Sequence, residues 1–425
     1  MSPDLPPAGF VPVASKVEGI RVFRPAPQDE ILPQPVVEFK CPQCGATTVY
    51  NVAEQALICK HCGYVDPSQA EVVGKTAAEL EFTVETLETS DQGWGGERKE
   101  MACGQCGAVV SIPLENLSHT CPFCGSNKVV QRQDLQDSLR PRFLIPFTIL
   151  SENCRNITRL WLSKSWMTPA GLSQIANLHG FTAIYLPFWT FDALNSAQWK
   201  AEVGHTQTQR YFQDGEWKER TVVVYRWESG RVQLHVDDLL VPGSIHVSHQ
   251  LVKKVYDFDL GALVPYDAKY LAGLGAQAYT LELEKAWELA RQEMREKIRQ
   301  ACMEQASTQR IRNFSMDLDF AEESWRYILL PFYLSAYAYQ GKTFQVMVNG
   351  QNGSIAGQRP VDWAKFWLVM SAILSPGVLL GLLGLITIPL AGFGLILAMI
   401  GFVLFVIGLI VVFIFFNQAQ AMDDA

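Results

Sequence analysis

The sequence predicts an α+β protein in three parts, and three observations carry that prediction. Eight of the ten cysteines fall into two copies of one four-cysteine pattern near the N-terminus. A middle stretch alternates aromatic, apolar and polar residues around a repeated Leu-Pro-Phe motif. The C-terminal part contains 57 residues, Phe366 to Met422, without one Asp, Glu, Lys or Arg.

The cysteines come first in the chain. Cys41-x2-Cys44 and Cys59-x2-Cys62 make one copy, Cys103-x2-Cys106 and Cys121-x2-Cys124 the other. In each, 14 residues separate the inner cysteines, and the copies are offset by 62 residues throughout. A C-x2-C turn aims two thiolates at one ion, and two such turns complete a tetrahedral S4 site. Glycine follows the second thiol of every turn, where it permits the positive φ of a knuckle. The pattern predicts two zinc ribbons, at 41–66 and 103–130, holding two structural Zn2+ ions. Disulfides would need an oxidising compartment, and no basic-then-apolar leader opens the chain. A redox dithiol sits once at a strand–helix junction, not four times at ribbon spacing. An S4 site also accepts iron, but short ribbon loops and the availability of zinc favour zinc. A closed S4 set leaves no position for water or substrate, which predicts a structural role. Cys154 and Cys302 stand apart in apolar surroundings and read as buried small hydrophobes.

The uncharged run is long enough for two membrane spans, since about 20 apolar residues cross the hydrocarbon core. Pro389 to Gly394 marks the break, giving spans near 366–388 and 395–416 inside a hairpin at 363–416. Pro376-Gly377 would leave too short a segment if it ended the first span, so it reads as a kink. Trp363, Phe366 and Trp367 sit where an interfacial aromatic belt belongs. Burying such a hairpin inside a soluble protein would need a far larger core. Arg359 and Lys365 precede the first span while the turn carries no charge, and the ribbons need reduced thiolates. Both termini are therefore expected in the cytoplasm.

Residues 1–40 hold eight prolines with little periodicity and read as an extended tail. Between the ribbons, 67–102 reads as a linker with a short acidic helix over Ala77 to Ser90. Residues 41–130 carry eleven acids against five bases, and each S4–zinc centre adds two formal negative charges. Phosphate backbones need Lys and Arg to neutralise them, so this region points to a protein partner over nucleic acid.

Residues 139–360 read as an α+β domain with an internal repeat. Ile184-Tyr-Leu-Pro-Phe-Trp189 and Ile328-Leu-Leu-Pro-Phe-Tyr333 align without gaps, and Leu144-Ile-Pro-Phe147 is a shorter third echo. Each longer copy leads into alternating strand, the second ending in the turn signal Asn349-Gly-Gln-Asn-Gly353. Glu219 to Val236 reads as further strand with Glu228-Ser-Gly230 as its turn. One helix is expected from a Ser151 cap to Trp166, and a longer one over Gln277 to Arg310. Leu283, Trp287, Ala290, Met294, Ile298 and Ala301 give the latter an apolar stripe that packs on the sheet.

Apparent catalytic motifs dissolve. Gly74-Lys-Thr lacks the earlier glycine of a phosphate loop, and Gly273-Leu-Gly275 follows no strand. His235, His246 and His249 with Asp237 and Asp238 suggest a metal cluster, yet His235 and His246 alternate with aliphatic residues as ordinary polar strand positions do. No nucleophile elbow or paired catalytic carboxylate emerges, so a non-enzyme is expected.

The motif order resembles one bacterial family, that of membrane-anchored tandem zinc-ribbon proteins loosely described as primosomal or helicase-like. The likeness covers about residues 40–416. It rests on the paired ribbons, the LIPF, YLPFWTFDA and LPFY segments, the VNGQNGSIAG hairpin, RPVDW and the apolar C-terminus. The resemblance implies neighbours such as phage-shock protein A and flotillin-like (SPFH) membrane proteins, recruited to the membrane. The expected function is a scaffold at the bacterial inner membrane acting in membrane stress; a membrane-tethered nucleic-acid or transcription factor is the alternative.

Overall fold

The computed structural model describes residues 10–13, 22–25, 39–67, 71–81, 98–113, 121–124, 126–132, 139–172, 177–178, 180–213, 215–245, 249–388 and 393–423. The chain divides into two units. In the first, strands β1 (Phe10–Val13) and β2 (Val22–Pro25) pair antiparallel within the stretch read as an extended tail. Everything below concerns the second, residues 39–94 and 98–425.

It is a mixed α+β body with the cysteine clusters at one end of the sequence and a two-helix apolar hairpin at the other. Strands β3 (Thr48–Asn51), β4 (Ala56–Cys59) and β5 (Val65–Pro67) form a small antiparallel sheet around the first cluster. The remaining thirteen described strands form one sheet. They are β6 (Leu80–Glu81), β7 (Arg98–Cys103), β8 (Val109–Pro113), β9 (Val129–Arg132), β10 (Phe143–Leu144), β11 (Asn177–Leu178), β12 (Thr182–Gln213) and β13 (Glu216–Pro242). After these come β14 (Val264–Pro265), β15 (Gly275–Ala276), β16 (Ile311–Tyr339), β17 (Lys342–Asn349) and β18 (Ile355–Gly357). The helices are α1 (Ser151–Ser163), α2 (His249–Lys253), α3 (Leu283–Gln305), α4 (Trp363–Thr387) and α5 (Phe393–Asp423).

Three strands dominate. β12, β13 and β16 contain 32, 27 and 29 residues. At about 3.3 Å per residue, β12 runs roughly 100 Å along the chain, far beyond an ordinary strand. Its first half is buried almost continuously, because β16 flanks it on one side and β13 and β15 on the other. Beyond Val203, where β16 begins, β12 and β13 continue as a two-stranded arm. There the pattern turns polar, and the arm ends with Phe212 and Trp217 exposed against each other, ring centroids 5.3 Å apart.

Glu228-Ser-Gly230 is not a turn, as the sequence led us to expect. β13 passes straight through it, with Gly230 opposite Trp199. A Cβ there would lie 2.7 Å from Trp199 Nε1 and 2.4 Å from Gln305 Oε1, so the glycine serves a close approach. The expected helix over Ala77 to Ser90 also differs where it is described: Leu80 and Glu81 pair with Trp325 and Ser324 as β6. Residues 82–97 lie outside the described residues.

The helices start close to expectation. α1 begins at Ser151, although Leu150 occupies the cap position and no side chain caps it. α3 begins six residues later than expected, with Glu282 at its N-cap, after Gly275-Ala276 pairs as a strand beside Ile184 and Tyr185. Its stripe packs on β12 and β13 through Leu283, Trp287, Ala290, Met294, Ile298 and Cys302. Cys302, not Ala301, takes the last buried place.

α4 and α5 are long and apolar enough to cross a membrane, and most of their large side chains face outward. Of the break expected at Pro389 to Gly394, residues 389–392 lie outside the described residues and Phe393 and Gly394 already belong to α5, while Pro376 sits inside α4. Glycines let the two helices touch: a Cβ on Gly401 would lie 2.3 Å from Gly381 N, and one on Gly384 2.3 Å from Ala398 N. The hairpin is rooted in the sheet body. Trp166 stacks on Phe366 with 6.3 Å between centroids, Arg359 N donates to Met422 O at 2.8 Å, and Asp362 N donates to Met167 O at 2.8 Å.

Candidate metal centres

Three of the C-x2-C turns are built the same way, and Cys121 N likewise donates to Ser126 O at 2.8 Å in the fourth. Cys41 N donates to Ala46 O at 2.7 Å and Gly45 N returns to Cys41 O at 2.8 Å. Cys59 repeats this with Tyr64 and Gly63, and Cys103 with Ala108 and Gly107. Gly45, Gly63 and Gly107 hold φ of 74°, 75° and 73°, the left-handed region where a Cβ is strained. The knuckle thus dictates its own glycine.

The structure brings all eight predicted cysteines together as two sets of four. Cys41, Cys44, Cys59 and Cys62 form one; Cys103, Cys106, Cys121 and Cys124 form the other. The sulfurs of each set lie within 4.8 Å of one another. Cys41–Cys62 and Cys44–Cys59 are 3.4 Å apart, Cys103–Cys124 and Cys106–Cys121 3.6 Å. A disulfide would need about 2.05 Å. Four sulfurs about 2.3 Å from a tetrahedral ion stand roughly 3.8 Å apart, so these sets fit one metal ion each.

Electrostatics points the same way. Backbone N–H groups of Cys62 and His61 aim at the Cys59 sulfur and hold its pKa down to about 6. The Tyr64 N–H works on Cys62 in the same sense, but burial and the neighbouring sulfurs push that thiol up to about 12. In the second set burial pushes Cys124 up to about 11. Four thiols cannot all ionise at this spacing without a cation between them.

The two sets are seated differently. The first has a sheet of its own that packs on the body: Tyr50 and Leu57 enter the main core, Tyr50 N donates to Ala272 O at 3.0 Å, Gln55 Nε2 to Phe147 O at 2.6 Å, and Lys269 pairs with Asp66 at 3.4 Å. The second is woven into the main sheet. β8 joins β15 at Ser111–Ala276, and Val110, Ile112 and Phe123 share a core with Leu186, Phe188 and Ile328.

A third group of ligand-type side chains joins Asp237 and Asp238, which sequence reasoning weighed beside the histidines and set aside, with Asp192, which it missed. Asp192 gathers with Asp237 and Asp238, their oxygens within 4.8 Å of one another. Of the histidines considered with those aspartates, His235 faces solvent opposite Leu194; His246 lies outside the described residues, and the side chain of His249 is not described. Arg326, 1% exposed, lies among the acids. Its guanidinium bonds Asp238, reaches Glu79 at 3.3 Å and donates to Thr190 Oγ1 at 3.2 Å and Ala77 O at 3.3 Å. Burial pushes the Asp192 carboxyl up to about 7. A local signal linking Asp192 to that pair was absent, because Asp192 and Asp238 are 46 residues apart.

No family model matches the chain, and no solved structure matches it. A relative from Bacillus subtilis (strain 168), the uncharacterized protein YdjG, is 26% identical over 333 residues, covering 78% of this chain and 92% of the relative. The likeness therefore extends over nearly all of that protein.

Proposed function

We propose that the protein is a non-enzymatic scaffold with two structural zinc ribbons, anchored in a bacterial inner membrane by its C-terminal hairpin. Both termini lie in the cytoplasm, and the cytosolic body recruits soluble or peripheral proteins to the membrane under stress. The observation that carries this reading is the stacking of Trp166 on Phe366. It fixes the apolar hairpin to the same body that seats both cysteine sets, so whatever docks there is held at the bilayer.

Each four-cysteine set has its ligands fully used by one tetrahedral ion, which supports structure over catalysis. Zn2+ is the ion we assign, with Cys41, Cys44, Cys59 and Cys62 holding one and Cys103, Cys106, Cys121 and Cys124 the other. The hairpin's outward apolar faces support spanning, and its uncharged turn supports translocation of that turn only. Residues 41–130 carry a net charge of −6 before any metal is bound, which supports a protein partner over nucleic acid. The partners we propose are phage-shock protein A or flotillin-like (SPFH) proteins. The middle domain's Leu-Pro-Phe segments, paired in register, support an origin by duplication.

The test is cross-linking in native membranes with the full chain, followed by reconstitution with the captured protein and with duplex and single-stranded nucleic acid. Saturable binding of a phage-shock or flotillin-like protein, with weak salt-sensitive nucleic-acid binding, supports the scaffold. Tight nucleic-acid binding at physiological salt, abolished by Cys59→Ser or Cys121→Ser, supports the alternative.

A further inference from the structure

The geometry points to a binding site for a hard divalent cation, of the Mg2+ or Ca2+ kind, formed by Asp192, Asp237 and Asp238. The site is independent of the cysteine sets and lies within the three-stranded body, where β12 runs between β13 and β16.

Its construction is specific. Phe191 pairs with Leu239 and Ala193 with Val236, so the two residues Asp237 and Asp238 oppose the single residue Asp192. That is a β-bulge. In a regular pleat, consecutive side chains point to opposite faces, and two adjacent aspartates could not share a ligand with Asp192. Here Asp238 adopts φ of 56°, its N–H donates to Asp192 Oδ1 at 2.5 Å, and all three carboxylates converge.

Charge and hydrogen bonding are both incomplete. Asp192 is 4% exposed, and Asp192 Oδ2 and Asp238 Oδ2 are buried without a hydrogen-bond partner. Arg326 does not resolve this: it is spent on Asp238, Glu79, Thr190 and Ala77, and comes no nearer to Asp192 Oδ2 than 3.8 Å. Lys75 meets Asp237 from solvent at 3.9 Å. When all are ionised, the four carboxylates of Asp192, Asp237, Asp238 and Glu79 face two cations, an excess of two negative charges that a dication would cancel. Buried carboxylates left unpaired are costly, which favours a bound ion.

The donor set selects the ion class. Carboxylate oxygens suit Mg2+, Ca2+ and Mn2+, and no thiol or imidazole is among the described ligands. With bonds of about 2.1–2.4 Å, oxygens on one hard ion stand roughly 3.0–4.8 Å apart, within the spread seen here. Asp237 is exposed, so waters can complete the shell. A bound ion would tie β12 to β13 and, through Arg326 and Glu79, to the 77–81 segment that runs between the two cysteine sets.

The experiment is calorimetric titration of the full-length, detergent-solubilised protein with Mg2+ and separately with Ca2+, with unfolding temperature read in parallel. The expected result is one saturable site per chain for at least one of the ions. Its affinity should fall tenfold or more in Asp237→Asn and vanish in Asp192→Asn, and the ion-induced rise in unfolding temperature should vanish with it. If Asp192→Asn fails to fold, the exposed Asp237→Asn decides. Absence of saturable binding, or equal binding in wild type and both variants, overturns the site. So does an Asp192→Asn protein stabilised without any ion while the wild type ignores both ions, which would mean a shared proton in place of the cation.

Discussion

Leu186 faces Leu330 across the antiparallel pair of β12 and β16. The two residues occupy the same position in the repeated Leu-Pro-Phe motif, so the copies cross about a local two-fold axis at this pair. The third echo joins in the same register, with Leu144 beside Leu329 in a parallel bridge. All four leucines are buried, Leu186 and Leu330 in one hydrophobic core and Leu144 and Leu329 in another. Leu186→Ala and Leu330→Ala should each cost about 2–5 kcal/mol, as large-to-small changes in packed cores do. Because the side chains neighbour each other, the double variant should depart from the sum of the singles in denaturant unfolding.

The two cysteine sets should differ in consequence. Structural zinc contributes roughly 10 kcal/mol or more to small modules. Cys59→Ser should lower zinc from two per chain to one and unfold 41–66 locally, because the strands of that set form a sheet of their own. Cys121→Ser should lower zinc equally but destabilise the whole sheet, since Phe123 and Ile112 would lose their fixed places beside Leu186 and Phe188. Elemental analysis with limited proteolysis separates the two outcomes; identical proteolysis patterns would contradict the difference in seating.

The hairpin makes an equally local prediction. Gly401→Ala should weaken α4–α5 packing, because the new Cβ meets Gly381 N at 2.3 Å. Gly381→Ala should be tolerated, since its own Cβ would meet nothing within 4 Å. Accumulation in the membrane and unfolding temperature in detergent should fall for the first and hold for the second.

Stability should also depend on pH through Asp192. Its carboxyl lies near 7 in the folded protein, raised first by burial and then by Glu79 and Asp238, against 3.8 for an ordinary aspartate. The folded state therefore binds more protons between those values, and stability falls as pH rises through the window. Asp237 and Asp238 on β13, Arg326 on β16, and Lys75 and Glu79 on the 71–81 segment face this group. Without added divalent cation, lowering pH from 8 to 6 should raise the wild-type unfolding temperature, and Asp192→Asn should flatten the curve.

What the sequence disclosed was what local chemistry encodes. Cysteine spacing located both clusters, an uncharged run located the hairpin, and a helical stripe located α3. Non-local pairing was hidden. Gly230 looked like a turn because its reason is Trp199 on another strand, and Asp237-Asp238 looked like ordinary strand residues because the bulge that unites them with Asp192 depends on register. Leu80 and Glu81 lie in a segment of helix formers, yet pairing with β16 overrides that propensity.

The most direct test of the scaffold is the cellular location of its partner. In native cells, phage-shock protein A and the flotillin-like proteins would be followed by membrane fractionation with three chains: intact, ending after Asp362, and carrying Cys59→Ser with Cys121→Ser. The proposal predicts that one of these proteins is membrane-bound with the intact chain, shifts to the cytosol with the truncated chain, and is released by the cysteine variant while that variant itself stays in the membrane. An unchanged distribution of every such protein across all three chains would contradict it.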